Sequence, residues 1–214
     1  MTITESSSRK RRRLTPLALI AGAVGTVLLA LSLTGTLSGF VASITNTTNT
    51  AGTGALVMQE KDSTGTITCL STNGGSVSTN AATCSTINKF GGNLAMVPGT
   101  VVSTNITITN TGTVPANTFT LTPGATCTQS ANGAANGTAT DLCAKLNVVI
   151  TSGATTVYSG TVAALAGHAA FALATPVAPG TTVPFTFAVT LASTADNTYQ
   201  GLQASLPLTW AFAS

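Results

Sequence analysis

Val-Pro-Phe-Thr-Phe-Ala-Val-Thr-Leu, residues 183–191, alternates large apolar side chains with smaller or polar ones along its whole length. A period of two places every second side chain on the same face of a β-strand. Phe185, Phe187 and Val189 therefore share a face that other apolar residues must cover. The stretch predicts a strand with one buried and one solvated face, as in an antiparallel sandwich.

Short runs with the same period recur on both sides of this stretch, separated by Gly, Asn and Pro. They centre on residues 102–108, 119–121, 146–150 and 204–212. C-terminal to Phe40 no sustained helical pattern occurs, and only 140–146 and 162–172 are predicted as short helical segments. We therefore predict an all-β fold, a jelly-roll-like β-sandwich preceded by an N-terminal signal or membrane helix.

Two prolines qualify the strand predictions. Pro184 and Pro207 fall on the outward positions of the runs that contain them. Proline cannot donate a hydrogen bond to a neighbouring strand, so it is tolerated at sheet edges and strand ends. We predict that both strands lie at an edge or begin close to these residues.

The N-terminus has the layout of an export signal, a basic cluster followed by an apolar run from Leu14 to Leu37. The basic cluster would stay on the cytoplasmic side of the membrane. It consists of Arg9, Lys10, Arg11, Arg12 and Arg13. Cleavage is expected between residues 37 and 43. An uncleaved anchor over Leu17–Leu37 is the alternative, because that run is long enough to cross a bilayer.

This layout divides the chain into three parts. Residues 1–42 are predicted to be a signal peptide or N-terminal membrane anchor, and 43–55 an extended polar arm. Residues 56–214 are predicted to form the β-sandwich domain, which is the size of one ordinary domain. The protein is therefore expected to be secreted and to lie at the extracellular cell surface, with signal peptidase as a partner during export.

The charge of the exported part excludes several partners. The whole chain carries a formal charge of +3, but five of its eight basic residues lie in the leader. Past Ala42 the chain contains three lysines and four carboxylates, which gives a net charge of −1. Nucleic-acid binding and anionic lipid binding both need a basic patch. We expect no nucleic-acid partner, and membrane contact only through the N-terminal segment.

All four cysteines lie in the exported part, at Cys69, Cys84, Cys127 and Cys143. An even number of cysteines in an oxidising compartment indicates disulfides. Of the three pairings, the local one is favoured, Cys69 with Cys84 and Cys127 with Cys143, because each pair flanks a loop rich in Gly, Asn, Ser and Thr. A zinc site is the alternative, but structural zinc usually uses closely spaced cysteines.

No catalytic motif is present. His168 is the single histidine, so the paired histidines of a zinc-protease helix are missing, and no G-x-S-x-G occurs. Glu60 and Asp62 share a strand face, which we interpret as a solvated charge cluster around Lys61. A weak cation site is the alternative. We expect no enzymatic activity, no catalytic or metal-binding residue and no cofactor.

The segment Ser43–Gly54, Ser-Ile-Thr-Asn-Thr-Thr-Asn-Thr-Ala-Gly-Thr-Gly, is polar and low in complexity. It is either a disordered tether or an extended arm that adds to the sheet of another subunit. Apolar residues in and beside it are the candidates for subunit binding. They are Phe40, Val41, Ile44, Leu56 and Met58.

Four stretches resemble the TasA/camelysin family of exported Gram-positive surface and biofilm-matrix proteins with SipW-type signal peptides. One is the basic leader ending in Gly-Thr-Leu-Ser-Gly-Phe (35–40), followed by Ala-Gly-Thr-Gly-Ala-Leu (51–56). A second is Ile-Thr-Ile-Thr-Asn-Thr-Gly-Thr-Val-Pro-Ala (106–116). The others are Leu-Cys-Ala-Lys-Leu-Asn-Val (142–148) with Val-Tyr-Ser-Gly (157–160), and Asn-Thr-Tyr-Gln-Gly-Leu (197–202).

The resemblance implies a jelly-roll-like domain, export through a dedicated signal peptidase and, in the filament-forming members, polymerisation by donation of an N-terminal strand. The donor here would be about Phe40 to Met58. The family also implies a metalloprotease activity through camelysin, which the isolated His168 does not support.

Three functions follow as expectations. The first is a structural subunit, or an accessory, of an extracellular fibre or biofilm matrix, which forms a homopolymer by β-augmentation from its arm. The second is a monomeric secreted or membrane-anchored surface-binding domain of the adhesin kind. A camelysin-type protease is the least favoured of the three.

Overall fold

The computed structural model describes residues 44, 46, 48–74, 79–133 and 135–214. The chain divides into two units, Met1–Ala51 and Gly52–Ser214, and the second begins just ahead of the predicted domain start at Leu56. The leader with its basic cluster 9–13, and the arm residues Phe40 and Val41, lie outside the described residues. Among the described residues, no helix is long and apolar enough to cross a membrane.

The second unit is built from antiparallel strands, which confirms the predicted all-β sandwich. Six strands form one sheet in the order β2-β1-β3-β9-β6-β7, three form another in the order β11-β4-β8, and β10 pairs with β5. The strands are β1 Met58–Asp62, β2 Thr68–Leu70, β3 Val101–Asn110, β4 Thr118–Pro123, β5 Thr128–Ala131, β6 Leu146–Ser152, β7 Thr155–Thr161, β8 Phe171–Ala172, β9 Thr182–Leu191, β10 Leu202–Ser205 and β11 Leu208–Ala213.

The alternating runs of the sequence become the buried faces of these strands. In β9 the side chains of Phe185, Phe187, Val189 and Leu191 are buried, and the residues between them are more exposed. The same alternation holds in β3, β4 and β6. The period of two therefore predicted which side of each of these strands faces the core.

Aromatic rings join the two layers of the sandwich. Phe119 of β4 packs edge-on against Phe185 of β9, with ring centroids 5.8 Å apart. Trp210 of β11 contacts Phe185 at 4.6 Å and Phe119 at 5.8 Å. Because these rings come from strands in different sheets, they form the apolar layer that holds the sheets face to face.

Each predicted helical segment contains a single helical turn, α1 Leu142–Lys145 and α2 Val162–Leu165. The remainder of the segment 162–172 is not helical, and it ends in β8. The hydroxyl of Thr161 accepts a hydrogen bond from Ala164 N at 3.1 Å and so caps the start of α2. Each turn buries its leucine, Leu142 or Leu165, under the sheets.

The final alternating run, residues 204–212, is broken into β10 and β11 at Leu206-Pro207. Proline has no N–H to donate, so pairing stops there and resumes at Leu208. Pro184 lies near the start of β9, as predicted, although β9 is central in its sheet. The pairing of β6 with β9 ends at Thr186, so Pro184 lies outside that ladder.

Both disulfides form in the predicted local pairing. Cys69 is bonded to Cys84 and Cys127 to Cys143, with Cα–Cα distances of 6.0 and 6.2 Å. The first disulfide attaches the segment after Cys84 to β2, and the second attaches α1 to the residue preceding β5. Disulfides of this kind are stable in an oxidising compartment.

Asn110 organises the turn that follows β3. Its side chain is fully buried, and its Nδ2 donates to the carbonyls of Val114 and Val177, each at 2.9 Å. Its Oδ1 accepts from Gly112 N at 3.0 Å. The amide therefore satisfies three backbone groups at the junction between β3 and the second layer.

We expect Asn110→Ala to lower the free energy of unfolding by about 3 kcal/mol, because buried backbone groups lose their partners. Asn117→Ala is the matched control, since Asn117 is exposed in the same connection, and it should change stability by less than about 0.5 kcal/mol. Urea unfolding followed by circular dichroism measures both. Equal effects for the two variants would show that the Asn110 amide is not a structural centre.

Candidate functional site

A long groove of about 1490 Å³ runs between the two layers of the second unit. One wall is the face of β1, with Met58 and Glu60. A second wall is the irregular segment 79–98, and the third is the C-terminal stretch from Leu202 to Phe212. The groove is larger than most small-ligand pockets.

The C-terminal stretch presents its edge to this groove. Every residue from Leu202 to Phe212 lines the groove, including those on both faces of the strands. Neighbouring side chains of a strand point to opposite faces. Because side chains from both faces of these strands line the groove, the backbone edge between them, with its N–H and C=O groups, also runs along the groove.

That edge has no partner strand in the part of the chain that the structure describes. β11 pairs with β4, from Leu208 opposite Pro123 to Ala213 opposite Thr118, and β10 pairs with β5. Neither has a second neighbour among the described strands. Gly124 N donates to Pro207 O at 2.8 Å. This hydrogen bond links the β4–β11 pair to the β5–β10 pair, so the two pairs form one ladder with a break between them. An open strand edge is a site at which another strand can pair.

A polar cluster, Glu60, Lys89 and Trp210, brings the three walls of the groove together, with one residue from each wall. The Lys89 ammonium lies 2.8 Å from Glu60 Oε1, and the Trp210 indole N–H donates to the same oxygen at 3.2 Å. The side chains of Lys89 and Glu60 are 11% and 8% exposed, so this is a largely buried ion pair. The predicted solvated cluster at Glu60 is therefore wrong, because Lys89 and Trp210 fold over the carboxylate.

Asp62, the other predicted member, has a separate structural role. Its carboxylate accepts hydrogen bonds from the Thr64 hydroxyl and, at 2.9 Å, from Ile67 N, closing the turn between β1 and β2. These two hydrogen bonds, with that from Thr64 the stronger influence, lower the pKa of Asp62 below its ordinary value. Glu60 and Asp62 thus serve different contacts.

The segment 79–98 covers the groove without forming a strand in its described residues. The Cys69–Cys84 disulfide attaches it to β2, and Asn80 Nδ2 donates to Leu56 O at 2.6 Å. Ile87 is buried, while Phe90 and Met96 pack against the core. The segment is therefore an anchored wall that carries Lys89 into the groove.

The predicted arm residues are placed in different surroundings. Ile44 is 93% exposed and belongs to the first unit. Leu56 and Met58 belong to the second unit, where they line the groove and pack against the core of their own chain. The part of the arm able to reach another subunit therefore ends before Ala55.

Ala55, at the end of the arm, is held by hydrogen bonds to the turn that follows β3. Ala55 N donates to the Thr113 hydroxyl at 2.8 Å, and Thr113 N donates to Ala55 O at 2.7 Å. Gly112 lies against the backbone carbonyl of Ala55, and there is no room between them for a side chain on Gly112. Two stretches of the resemblance, 51–56 and 106–116, thus contact each other here.

Histidine and acidic residues do not form a metal site in the described structure. No group of three or more His, Cys, Asp or Glu residues lies close enough there to hold a metal ion. His168 is exposed and stacks on Phe171 with ring centroids 4.3 Å apart. Its Nδ1 lies 2.8 Å from Ala169 O.

A tyrosine–carboxylate pair, Tyr199 and Asp141, lies at the groove, which Tyr199 lines. The Tyr199 hydroxyl donates to Asp141 Oδ1 at 2.6 Å, and Lys145 Nζ lies 5.9 Å from the centre of the tyrosine ring. The hydrogen bond to Asp141, assisted by desolvation, raises the pKa of Tyr199 to about 12. The fold therefore favours the neutral phenol.

We expect this pair to give the protein an alkaline stability limit. Because the pKa of Tyr199 is raised, the stability that the folded state gains from its neutral phenol is fully present below pH 10, the ordinary tyrosine pKa. This stability is lost as the pH rises towards about 12. Absorbance titration of Tyr158→Phe isolates Tyr199, since the chain has two tyrosines. In Tyr158→Phe/Asp141→Asn the pKa should fall towards 10. An unchanged pKa would exclude Asp141 as the cause.

The chain matches none of the protein-family models and none of the curated proteins with which it was compared. Function is therefore inferred from the groove and its open edge. Sequence patterns missed Lys89 and Trp210 as partners of Glu60, and they missed the unpaired edge of β10 and β11. The one available signal was Lys89 itself, one of only three lysines past the leader.

Proposed function

We propose that the protein is a structural subunit, or an accessory, of an extracellular fibre or biofilm matrix. Each subunit donates its N-terminal arm, residues 43–54, to the groove of a neighbouring subunit, where the arm pairs with the open edge of β10 and β11. The observation that carries the proposal is this edge, which has no partner among the described strands and lines the groove from Leu202 to Phe212.

The lengths of arm and edge match. The arm from Ser43 to Gly54 has 12 residues, and the edge from Leu202 to Ala213 has 12 as well, including its break. Backbone hydrogen bonds along a paired edge supply the affinity in β-augmentation, and side chains on alternate positions fill the groove. An arm of this length could pair with the whole edge.

The attachment of the arm favours donation. Ala55 is held on the turn at Thr113, so the chain that precedes it leaves the domain at a defined point. The arm carries no charged residue and no proline, which would impede its insertion between two layers. Its resemblance to the donor segment of filament-forming TasA relatives supports the same assignment.

Export is the second part of the proposal. The two disulfides fit an oxidising environment. The basic leader and apolar run support secretion to the cell surface after processing by signal peptidase, with membrane contact only through the N-terminal segment. No catalytic residue, cofactor or nucleic-acid partner belongs to the proposed function.

Electron microscopy tests the proposal. Protein purified from its native cell surface is compared with a chain beginning at Gly52, which retains the compact unit and its core but lacks most of the arm. We expect filaments from the native protein and monomers from the truncated chain. Matching circular dichroism spectra and unfolding midpoints provide the control that truncation leaves the fold intact.

Monomers from both proteins under all conditions would contradict the fibre proposal. The monomeric surface-binding domain would then be the better assignment, and the groove would be a site for a different ligand. Stoichiometric zinc together with proteolysis in the purified protein would instead support the camelysin-type protease.

A further inference from the structure

The polar cluster Glu60, Lys89 and Trp210 has more hydrogen-bonding capacity than it uses. An ammonium has three donors and a carboxylate about four acceptor sites. Among the described residues, the polar side-chain contacts of the cluster are the Lys89–Glu60 ion pair and the Trp210 hydrogen bond, both to Glu60 Oε1. No buried side-chain nitrogen or oxygen of the described residues lacks a partner. The side chains of Lys89 and Glu60 keep 11% and 8% of their surface exposed, so solvent still reaches the cluster.

A strand that fills the groove would remove this solvent. Trp210 belongs to β11, so a strand added to the free edge of β11 passes directly beside the cluster. Side chains directly opposite each other on paired strands lie about 5 Å apart. Inward-facing side chains of the incoming strand must therefore satisfy both an ammonium donor and a carboxylate acceptor.

We propose, on the basis of the proposed strand donation, that this polar cluster determines which strand the groove accepts and in which register. The accepted strand has uncharged hydroxyl and amide side chains on its inward face. Such groups both donate and accept hydrogen bonds. An apolar inward face would leave the ion pair buried with unused donors and acceptors, which is unfavourable.

The arm of a second copy of this chain has the required chemistry. Residues 45–50, Thr-Asn-Thr-Thr-Asn-Thr, are hydroxyl or amide residues at every position. Whichever face of the arm is directed inwards, it offers three such side chains. The cluster therefore selects this uncharged polar segment against the apolar strands that are common elsewhere in the same chain.

Two peptides of equal composition provide a matched test. Both derive from residues 43–54 and replace alternate polar residues by apolar residues of similar shape. The first carries Thr45→Val, Thr47→Val and Asn49→Leu, and the second carries Asn46→Leu, Thr48→Val and Thr50→Val. Only one of the two sets can face the cluster, because alternate side chains of a strand point in opposite directions.

Binding is measured on the chain that begins at Gly52. The fluorescence of Trp210 reports on the groove directly, because Trp210 is the single tryptophan and the peptides contain none. Anisotropy of a labelled peptide gives an independent affinity. We expect one substituted peptide to bind about tenfold to hundredfold more weakly than the unsubstituted peptide, and the other to bind almost as well.

The protein variant Glu60→Met/Lys89→Met completes the test. Replacing both partners together avoids leaving one buried charge unpaired. We expect the difference between the two peptides to disappear in this variant. The peptide comparison on the unsubstituted protein stands even if the variant fails to fold.

Each outcome has a defined meaning. Equal binding of the two substituted peptides to the unsubstituted protein would overturn the assignment of the cluster but leave strand donation intact. Retention of the full difference in the Glu60→Met/Lys89→Met variant would overturn it as well. Binding of none of the peptides, by fluorescence or by anisotropy, would overturn strand donation itself.

Discussion

Phe119→Ala is expected to lower the free energy of unfolding by about 4 kcal/mol, because it leaves a cavity at the centre of the sandwich. Phe119 is 1% exposed, and its ring contacts Phe185 of the opposite sheet as well as Trp210 and Phe212 of β11. These rings come from both layers and cannot close the space without moving the strands that carry them. Chemical denaturation monitored by circular dichroism measures the loss.

Thr122→Ala provides the control for this change. Thr122 is exposed in the same strand, so its replacement should alter stability by less than about 0.5 kcal/mol. The single tryptophan, Trp210, adds a local signal, since its emission should shift in Phe119→Ala and stay unchanged in Thr122→Ala. A loss below about 1 kcal/mol for Phe119→Ala would show that the aromatic layer does not hold the sheets together.

Removal of both disulfides is expected to lower stability by about 6 kcal/mol, comparable to the total stability of many domains. Each disulfide closes a loop of similar length, with sequence separations of 15 and 16 residues, and each should contribute about 3 kcal/mol. The double variants Cys69→Ser/Cys84→Ser and Cys127→Ser/Cys143→Ser measure the two contributions separately in thermal and urea unfolding.

The two disulfides should differ in their effect on the groove. Loss of Cys69–Cys84 frees the wall segment 79–98 from β2, whereas loss of Cys127–Cys143 affects the contact between α1 and the residue preceding β5. Trp210 fluorescence should therefore change more in the first variant. Unfolding midpoints that equal that of the unsubstituted protein would mean that neither loop closure stabilises the fold.

Much of the fold could be predicted from local patterns. The period of two in β9 identified its buried residues, because a sheet with one covered face imposes that period directly on the sequence. The loops between the cysteines indicated the correct disulfide pairing. The leader and the arm residues Phe40 and Val41 lie outside the described residues, so the predictions for them remain predictions.

The site itself depended on long-range contacts that local patterns do not encode. Glu60 sits beside Lys61 in the sequence, which indicated solvated charges. Its burial is caused by Trp210, at a sequence separation of 150 residues, and by Lys89. Likewise, an alternating run shows that β11 exists but not which of its edges is left unpaired, because strand order is set by the whole topology.

Photo-crosslinking from the arm tests the central claim most directly. A photoreactive side chain at Thr48 is activated in assemblies grown from a mixture of isotopically light and heavy subunits, and the cross-linked peptides are identified by mass spectrometry. We predict cross-links between light and heavy chains that join Thr48 to the stretch Leu202–Ala213 or to the facing segment 79–98. Cross-links confined to one subunit, or directed to another sheet edge such as β7, would contradict the account.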